Sequence, residues 1–400
     1  MKKILIFSHA MELGGAEKTL IGLLEAIDKT QYSVDLFLMR HEGELMPYIP
    51  DGVRLLPEIP SYSCLAVPIS RVLKKRQFAV ALGRTLGKAA ARKRVAELGL
   101  ASDNDVSLQY SHKFTQFAMP AVNDIEYDLA ISFLTPHYFT ANKVRAKKKV
   151  AWIHTDYSTV AVDREEQLRM WSAYDTIVSI SEQVSQSFLG VFPELRDKLL
   201  LIPHFLPVHS MRLQAEAFSA EEEMPADGSV RLLSVGRFCT AKNFDNVPEI
   251  CRIIRNSGLN VKWYLIGYGP DEALIRRKTE EAGMGEYVVI LGKKENPYPY
   301  IKACDLYVQP SRYEGKCVSV LEAQILGKPV VISDYPTASS QLEDGVDGVI
   351  VPQDNEGCAA GIAELLRDAP RMEALRHNCL TRDYSNRSEI EKLYALMECT

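Results

Sequence analysis

Two glutamates in one short stretch are the residues of this chain best suited to chemistry. Glu314 and Glu322 lie eight positions apart, and a glycine turn between them leads into an apolar helix. A short buried strand is predicted just upstream, over residues 305–309. Backbone N–H groups at a helix N-terminus favour phosphate, whereas an ionised carboxylate accepts hydrogen bonds from hydroxyls. The stretch therefore predicts a site for a nucleotide sugar.

Each of these carboxylates also has a plainer interpretation. Glu322 falls on the apolar side of the predicted helix, where an ionised carboxylate is unfavourable unless a group donates to it. A ribose diol would donate to it, and a nearby lysine at the rim is the alternative. Glu314 precedes Gly315 in the turn, where the alternative is a solvated loop acid.

Three further candidates follow predicted strands. Arg237 and Lys242 are cations five residues apart in a loop after a strand, and such charges stabilise a leaving nucleoside diphosphate. Two ordinary exposed cations are the alternative. His154 ends a strand in the first half of the chain, where a neutral imidazole can hydrogen-bond a sugar hydroxyl or assist at the reacting carbon. For a lone histidine, a structural role is the alternative.

The sequence gives little sign of metal or phosphoryl-transfer chemistry. Asp103-Asn104-Asp105 matches the Asp-x-Asp metal pattern, but it follows no strand and lies in a polar loop between basic helices. We interpret it as a chance match and expect no metal ion. The sequence has no Walker A motif, which disfavours phosphoryl transfer.

The secondary-structure elements that must position these residues follow the same alternating order in two segments of the chain. Strands alternate with amphipathic helices from residue 3 onward and again from residue 230. This pattern predicts an α/β fold with two doubly wound, Rossmann-like parallel sheets facing across a cleft. A length of 400 residues also favours two domains. The predicted segments are a domain over 1–206, a linker over 207–229, a domain over 230–382 and a final helix over 383–400.

Charge, cysteines and the termini narrow the class of protein. The net charge of −5 argues against a dedicated nucleic-acid binder. The eight cysteines form no C-x-x-C pair, which is typical of reduced thiols in a cytosolic protein. The N-terminus reads as a first strand rather than a signal peptide, and no apolar run reaches the length of about 18 residues that a membrane span needs.

An insert over residues 61–119 is predicted to be helical and basic. No acidic residue occurs between Glu58 and Glu97. Apolar residues lie roughly along one side of this insert, and basic residues cover much of the rest: Ile69, Val72, Leu73, Ala79, Val80, Leu86 and Ala90, against Arg71, Lys74, Lys75, Arg84, Lys88, Arg92 and Lys93. We predict contact with an anionic membrane surface through residues 71–94, at about 1 kcal/mol per basic residue. A solvated outer helix is the alternative.

Taken together, these motifs resemble those of the retaining GT-B glycosyltransferases of family 4, the group 1 transferases of bacterial surface-polysaccharide type. The resemblance covers nearly the whole chain. Its most specific part is E-x7-E, from Glu314 to Glu322. The supporting motifs are Gly14-Gly15-Ala16-Glu17, Trp152-Ile153-His154, Val235-Gly236-Arg237, Lys242-Asn243, Ile266-Gly267-Tyr268-Gly269-Pro270 and Asp344-Gly345-Val346-Asp347-Gly348.

The resemblance implies a role for each candidate residue. Glu322 would bind the ribose, Glu314 the hydroxyls of the donor sugar, and His154 the same sugar. The diphosphate would meet Arg237, Lys242, the turn at Gly315 and backbone N–H groups of Lys316, Cys317 and Val318, and the donor phosphate or acceptor would approach Gly14 and Gly15. Lys316 and Cys317 depart from the family pattern, which often has an aromatic residue and a glycine there. Such enzymes retain anomeric configuration without a metal or other cofactor, and their final helix crosses back onto the first domain.

We therefore expect a hexosyltransferase that uses a nucleoside-diphosphate sugar, with UDP favoured over GDP. Its first domain would bind a glycan or lipid-linked glycan acceptor, and its second domain would bind the donor. The protein would be cytoplasmic and peripheral at the inner face of the membrane. Two alternatives stay open: a GT-B UDP-sugar 2-epimerase, and a catalytically silent GT-B subunit that supports a partner transferase.

Overall fold

A computed structural model describes residues 1–12, 14–100, 106–158, 160–314 and 317–398. The chain forms two compact units. The N-terminal unit comprises Met1–Pro207 and the segment from Ser385 onward, and the C-terminal unit comprises Val208–Tyr384. Each unit is a parallel sheet covered by helices, so the predicted α/β class with two doubly wound sheets is confirmed.

The N-terminal sheet has seven parallel strands in the order β3-β2-β1-β4-β5-β6-β7. Their apolar runs are buried on both faces because helices cover the sheet on each side. The strands are β1 (Lys2–Ser8), β2 (Tyr32–Leu38), β3 (Val53–Leu55), β4 (Glu126–Ser132), β5 (Arg145–Ile153), β6 (Thr176–Ser179) and β7 (Leu199–Leu201). The strand order reverses between β1 and β4, which is where doubly wound sheets bind ligands.

Nine α-helices of the described residues belong to the N-terminal unit. They are α1 (Gly15–Ala26), α2 (Pro60–Ser63), α3 (Ile69–Lys74), α4 (Phe78–Leu98), α5 (Val106–Thr115), α6 (His137–Lys143), α7 (Arg164–Ser172), α8 (Glu182–Val191) and, at the far end of the chain, α17 (Ile390–Leu396). Helix α17 contributes Ile390, Leu393 and Tyr394 to the same apolar cluster as β1 and α1. The chain after residue 384 thus packs with the N-terminal unit, where the resemblance placed the final helix.

The insert differs from the single amphipathic run that the sequence predicted. It is divided into α2 to α5, and the side of α4 that faces α5 is made of small residues. A Cβ at Gly83 would lie 2.6 Å from the Phe114 carbonyl oxygen, so this close helix contact needs glycine. Leu86, predicted to lie on the apolar side with Val80, is 47% exposed, whereas Val80 is fully buried. The prediction that Leu86 shares a side with Val80 is therefore wrong, because small residues of α4 make the buried contact with α5.

The C-terminal sheet has six parallel strands in the order β10-β9-β8-β11-β12-β13, which reverses between β8 and β11. The strands are β8 (Val230–Val235), β9 (Val261–Ile266), β10 (Val288–Gly292), β11 (Leu306–Gln309), β12 (Val330–Ser333) and β13 (Val349–Val351). The helices are α9 (Val208–Ala215), α10 (Val247–Asn256), α11 (Glu272–Glu281), α12 (Tyr298–Ala303), α13 (Val318–Ile325), α14 (Ala338–Gln341), α15 (Asn355–Arg367) and α16 (Ala369–Thr381).

The segment predicted as a linker, 207–229, contains more structure than a connection. It begins with α9, which packs against α12 within the C-terminal unit. Met211 and Met224 are both buried, and Lys294 pairs with Glu223 at 2.6 Å. The segment lacks a regular apolar period, yet these two methionines anchor it to the unit. Among the described residues, no helix has the length and apolar character that a membrane-crossing segment needs.

Candidate active site

The predicted cations and Glu314 meet at the carboxyl edge of the C-terminal sheet. Arg237 and Lys242 follow β8, and Glu314 follows β11. These two strands are neighbours at the point where the strand order reverses, so their carboxyl ends open into one crevice. Lys242 Nζ lies 2.6 Å from Glu314 Oε1. The structure thus places in contact two residues that are 72 positions apart in the sequence.

The Glu314 carboxylate is held by one of its two oxygens. Ser311 Oγ donates to Oε1 at 2.6 Å, and this is the oxygen that Lys242 also contacts. Ser311 is fixed in turn by Gln309 Nε2, which donates to its hydroxyl at 2.9 Å. Oε2 accepts no hydrogen bond from any described residue. Only 11% of the Glu314 side chain is exposed, so the alternative of a solvated loop acid does not hold.

Lys242 keeps its positive charge in this partly buried place. Burial lowers the pKa of its ammonium group, but the Cys317 and Glu314 side chains beside it outweigh that effect, and the net pKa is raised. Cys317 Sγ lies 3.6 Å from Lys242 Nζ, and burial raises the pKa of the thiol.

A second ion pair ties the two loops of the site together. The guanidinium of Arg312 donates to both carboxylate oxygens of Asp245, at 2.9 and 3.1 Å. Asn243 adopts a left-handed conformation with φ 59° and donates its side-chain amide to the Pro310 carbonyl at 2.9 Å. The loop after β8 and the loop after β11 are thereby fixed against each other, which holds Lys242 and Glu314 in register.

Arg237 is the exception among the cations. It is exposed and forms no hydrogen bond or ion pair with another described residue. The backbone around it is fixed, since Phe238 N–H donates to the Tyr268 carbonyl at 2.9 Å. Gly267 makes this close approach of the two loops possible, because a Cβ there would lie 1.8 Å from the Gly236 carbonyl oxygen. The guanidinium is thus a free cation at the edge of the crevice.

Glu322 lies on α13 and is 94% buried. The hydroxyl of Tyr298, from α12, donates to its Oε1 at 2.9 Å. Burial, together with the carboxylate, raises the pKa of the Tyr298 hydroxyl well above its usual value, so the tyrosine remains a donor. The sequence alternative paired Glu322 with a lysine. One donor to Glu322 is a tyrosine that no motif identified.

The turn between the two glutamates is described only in part. Gly315 and Lys316 lie outside the described residues, as does Asp103-Asn104-Asp105. Cys317 N–H, expected to meet a diphosphate, donates to Gln341 Oε1 at 2.7 Å. Val318 begins α13 and is 48% exposed, which leaves the first turn of that helix accessible to a ligand.

The remaining candidates belong to the N-terminal unit. Gly14 is the N-cap of α1, and the Glu17 carboxylate occupies the space beside it, where a Cβ would lie 2.1 Å from Oε2. Burial raises the pKa of this carboxyl. Gly15 faces open space instead, since no atom lies within 4 Å of a Cβ built there. Any phosphate that approached α1 would first meet Glu17.

His154 follows β5 and is a neutral imidazole. Burial, and next the neighbouring His204, lower its pKa to about 4. The His154 and His204 rings stack with centroids 6.0 Å apart, and His204 Nδ1 lies 3.0 Å from the Thr19 hydroxyl of α1. His154 Nε2 is buried and has no hydrogen-bond partner among the described residues. The candidates therefore form two clusters, one in each unit.

Comparison with known proteins finds a family model that is similar to most of the C-terminal unit. Residues 217–381 match the family model for glycosyl transferases group 1. Most of the C-terminal unit is therefore similar to the group 1 glycosyltransferases. The matched range contains both glutamates of E-x7-E and both cations of the loop after β8.

Bacterial glycosyltransferases are among the curated relatives of this chain. The amylovoran biosynthesis glycosyltransferase AmsK of Erwinia amylovora is 29% identical over 175 residues, 42% of each chain. A Campylobacter jejuni enzyme that adds N-acetylgalactosamine to an N-acetylgalactosamine-N,N'-diacetylbacillosaminyl-diphospho-undecaprenol is 27% identical over 153 residues. That match spans 38% of this chain and 41% of the relative. The chain thus matches about two fifths of the length of these relatives.

Solved glycosyltransferase structures share the fold of the whole chain. Anabaena Alr3699/HepE in complex with UDP aligns over 100% of both chains, with a TM-score of 0.57 and 15% identity. A glycosyltransferase from Rickettsia africae aligns over 99% of this chain and 98% of its own, with a TM-score of 0.60 and 13% identity. The chain therefore has the two-sheet GT-B fold, which includes the N-terminal sheet that the family model does not reach.

Proposed function

We propose that this protein is a retaining glycosyltransferase that moves a sugar from a nucleoside diphosphate, UDP rather than GDP, to a glycan acceptor. One observation carries the proposal: Lys242 and Ser311 both hold Oε1 of Glu314 at the carboxyl edge of the sheet. This arrangement places a carboxylate and a cation side by side at the carboxyl ends of β8 and β11. A sugar phosphate offers hydroxyls to the first and negative charge to the second.

The proposed chemistry needs only groups of this chain. Lys242 and Arg237 would stabilise the charge that develops on the leaving diphosphate, as preorganised cations do in other transferases. Glu314 would orient the donor sugar through its hydroxyls, and Glu322 would accept from the ribose. The acceptor hydroxyl would attack the anomeric carbon on the face from which the diphosphate departs, so the new bond to the acceptor oxygen replaces the bond to the diphosphate and the anomeric configuration is kept. The leaving phosphate would take the proton of that hydroxyl. We include in the proposal that no metal takes part.

The comparisons support the donor and the acceptor class. The HepE structure holds UDP, and the Campylobacter relative acts on a sugar chain linked to diphospho-undecaprenol. By analogy, we propose that this chain extends a glycan or lipid-linked glycan in bacterial surface-polysaccharide synthesis.

Contact with an anionic membrane surface is part of the proposal, and the insert supports it. Phe78, Leu82 and Leu86 follow one another at intervals of four residues along α4, and they are 64%, 55% and 47% exposed. Leu73 of α3 is also 46% exposed. Cations in the same segment, among them Lys74, Lys75, Arg92 and Lys93, are exposed as well. Exposed apolar residues within a basic segment are typical of helices that lie at a lipid interface.

Liposome sedimentation tests this contact. Replacement of Phe78 and Leu82 by serine should reduce binding to anionic vesicles, and so should replacement of Lys74, Lys75, Arg92 and Lys93 by serine. The first change removes apolar insertion and the second removes attraction to the lipid charge. Leu380, 46% exposed on α16, serves as a matched control for the loss of an exposed leucine. Binding that neither variant alters would remove the membrane proposal.

The transfer itself is tested with a panel of nucleotide sugars. The full chain should gain thermal stability with UDP or a UDP-sugar, and it should release UDP only when an acceptor is present. Conversion of the donor sugar to its 2-epimer without an acceptor would identify the epimerase alternative. Absence of stabilisation by every UDP and GDP species would refute the proposal.

A further inference from the structure

The N-terminal unit contains a cavity that none of the roles above uses. It has a volume of about 110 Å³ and lies at the carboxyl end of β5. Helix α5 of the insert supplies Leu108 and Gln109, α6 supplies Tyr138, and α7 supplies Trp171. His154 lines it too, so the cavity adjoins the residue that we expect beside the donor sugar. In parallel α/β sheets this edge is where ligands bind.

The lining of the cavity is aromatic and uncharged. No Asp, Glu, Lys or Arg is among the described residues that line it. The lining histidines His112 and His137 are neutral at pH 7, because burial lowers the pKa of each to about 3. An anionic group such as phosphate would find no counter-charge on these walls. A neutral ligand fits them better, since its polar atoms need partners but no opposite charge.

Most polar atoms of the walls are already satisfied within the unit. Trp171 Nε1 donates to Tyr157 and Gln167 at 3.2 and 3.3 Å, and Tyr138 OH donates to Glu166 at 3.0 Å. The aromatic rings therefore contribute apolar surface to the cavity. This surface suits the C–H groups of a sugar ring.

Gln109 is one of three lining residues with a buried polar atom that lacks a hydrogen-bond partner among the described residues, and the other two atoms, Trp152 Nε1 and His154 Nε2, are ring nitrogens. The Gln109 side chain is 94% buried, and its Nε2 donates to Tyr138 OH at 3.3 Å. Its Oε1 has no hydrogen-bond partner in the part of the chain that is described. A buried amide oxygen without a donor costs about 1–3 kcal/mol, so a ligand hydroxyl that reached it would relieve that cost.

We propose that this cavity binds one edge of a neutral sugar residue of the acceptor, with Gln109 Oε1 accepting a hydrogen bond from a sugar hydroxyl. The volume corresponds to a few water molecules at about 30 Å³ each, which fits a substituted ring edge rather than a whole oligosaccharide. The rim residues Leu108 and Thr155 are exposed, so the rest of the acceptor can extend into solvent. The inference rests on the proposed transfer and adds the acceptor class and a residue that selects it.

Ligand-observed NMR on the full chain with UDP present tests the proposal. The probes are neutral methyl glycosides of glucose, galactose, mannose, N-acetylglucosamine and N-acetylgalactosamine. At least one should bind saturably. Gln109→Leu should weaken its Kd about tenfold or more, because the buried acceptor is lost. Leu108→Trp should do the same by closing the rim, and it leaves the buried network intact.

Gln116→Leu, a glutamine that follows α5 and does not line the cavity, is the matched control and should bind like the wild type. UDP binding should be equal in all four proteins. If UDP binds but no neutral glycoside does, or if both cavity variants keep wild-type affinity, the cavity holds only water and the inference is wrong. Glycoside binding without any binding of UDP would instead support the cavity and contradict the donor site.

Discussion

The Lys242–Glu314 pair gives the sharpest prediction about catalysis. Lys242→Met keeps the length of the side chain and removes its charge. Among the described residues, this leaves Oε1 of Glu314 with only the Ser311 hydroxyl as donor. It also removes a partly buried cation, 18% exposed, from the proposed diphosphate site. Both losses should weaken binding of the transition state more than binding of the donor.

The expected fall in kcat follows from the charge of the group that each variant removes. Removal of one preorganised group that stabilises developing charge costs about 2.7–4 kcal/mol, so kcat should fall roughly 10²–10³-fold. Ser311→Ala removes a hydrogen bond from a neutral donor, and it should cost about 1 kcal/mol less than Lys242→Met because bonds from charged donors are stronger. The double variant Lys242→Met with Glu314→Gln should be little worse than either single change, since contacting residues are not additive.

The assay is release of nucleoside diphosphate from the donor at saturating acceptor, with thermal melting of each variant as a folding check. Lys302→Met is the matched control, because Lys302 lies in the same unit and pairs with Glu216 at the exposed surface. It should change kcat less than about twofold, as surface pairs contribute little. A folded Lys242→Met protein with a kcat within about threefold of the wild type would refute the role of this pair.

Three other predictions follow from the same structure. Tyr298→Phe removes one hydrogen bond to Glu322 and should raise the KM for the nucleotide sugar while leaving kcat nearly unchanged. An unchanged KM in steady-state kinetics would contradict the ribose role. Activity should be the same with and without EDTA, and loss that Mn²⁺ restores would overturn the metal-free proposal. The melting temperature should fall as the pH drops from about 6.5 toward 4. Burial lowers the pKa of His154 to about 4 in the folded protein, whereas the same histidine in the unfolded chain takes up its proton near pH 6.5. A melting temperature that does not change between pH 7 and 5 would refute this.

Much of the fold could be predicted from local pattern alone. The alternation of strands and helices predicts both sheets, and the apolar helix expected after the glycine turn is α13, Val318–Ile325. The sequence also indicated which loops follow strands. In a parallel sheet this is enough to place Lys242 and Glu314 at one edge, because all the carboxyl ends lie together.

The side-chain contacts that complete the site could not be predicted from local sequence pattern. Tyr298 and Gln341 each lie 24 positions or so from the residue they contact, and nothing in their local sequence marks them as partners of a glutamate or of a turn. The insert shows the same limit. Its apolar spacing placed Val80 and Leu86 on one side, but Gly83 and Gly87 allow close packing on α5, so that Val80 is buried and Leu86 remains exposed. Partner choice depends on tertiary contact, which periodicity does not encode.

The central claim is that the C-terminal unit holds a nucleoside diphosphate between Arg237, Lys242 and Glu322. Isothermal titration of UDP into the full chain, in EDTA, measures this directly. We predict saturable binding at one site, weakened about tenfold or more by Glu322→Gln, because the variant loses a charged acceptor for the ribose diol. Absence of UDP binding by the folded wild type, or equal affinity in the Glu322→Gln variant, would contradict it.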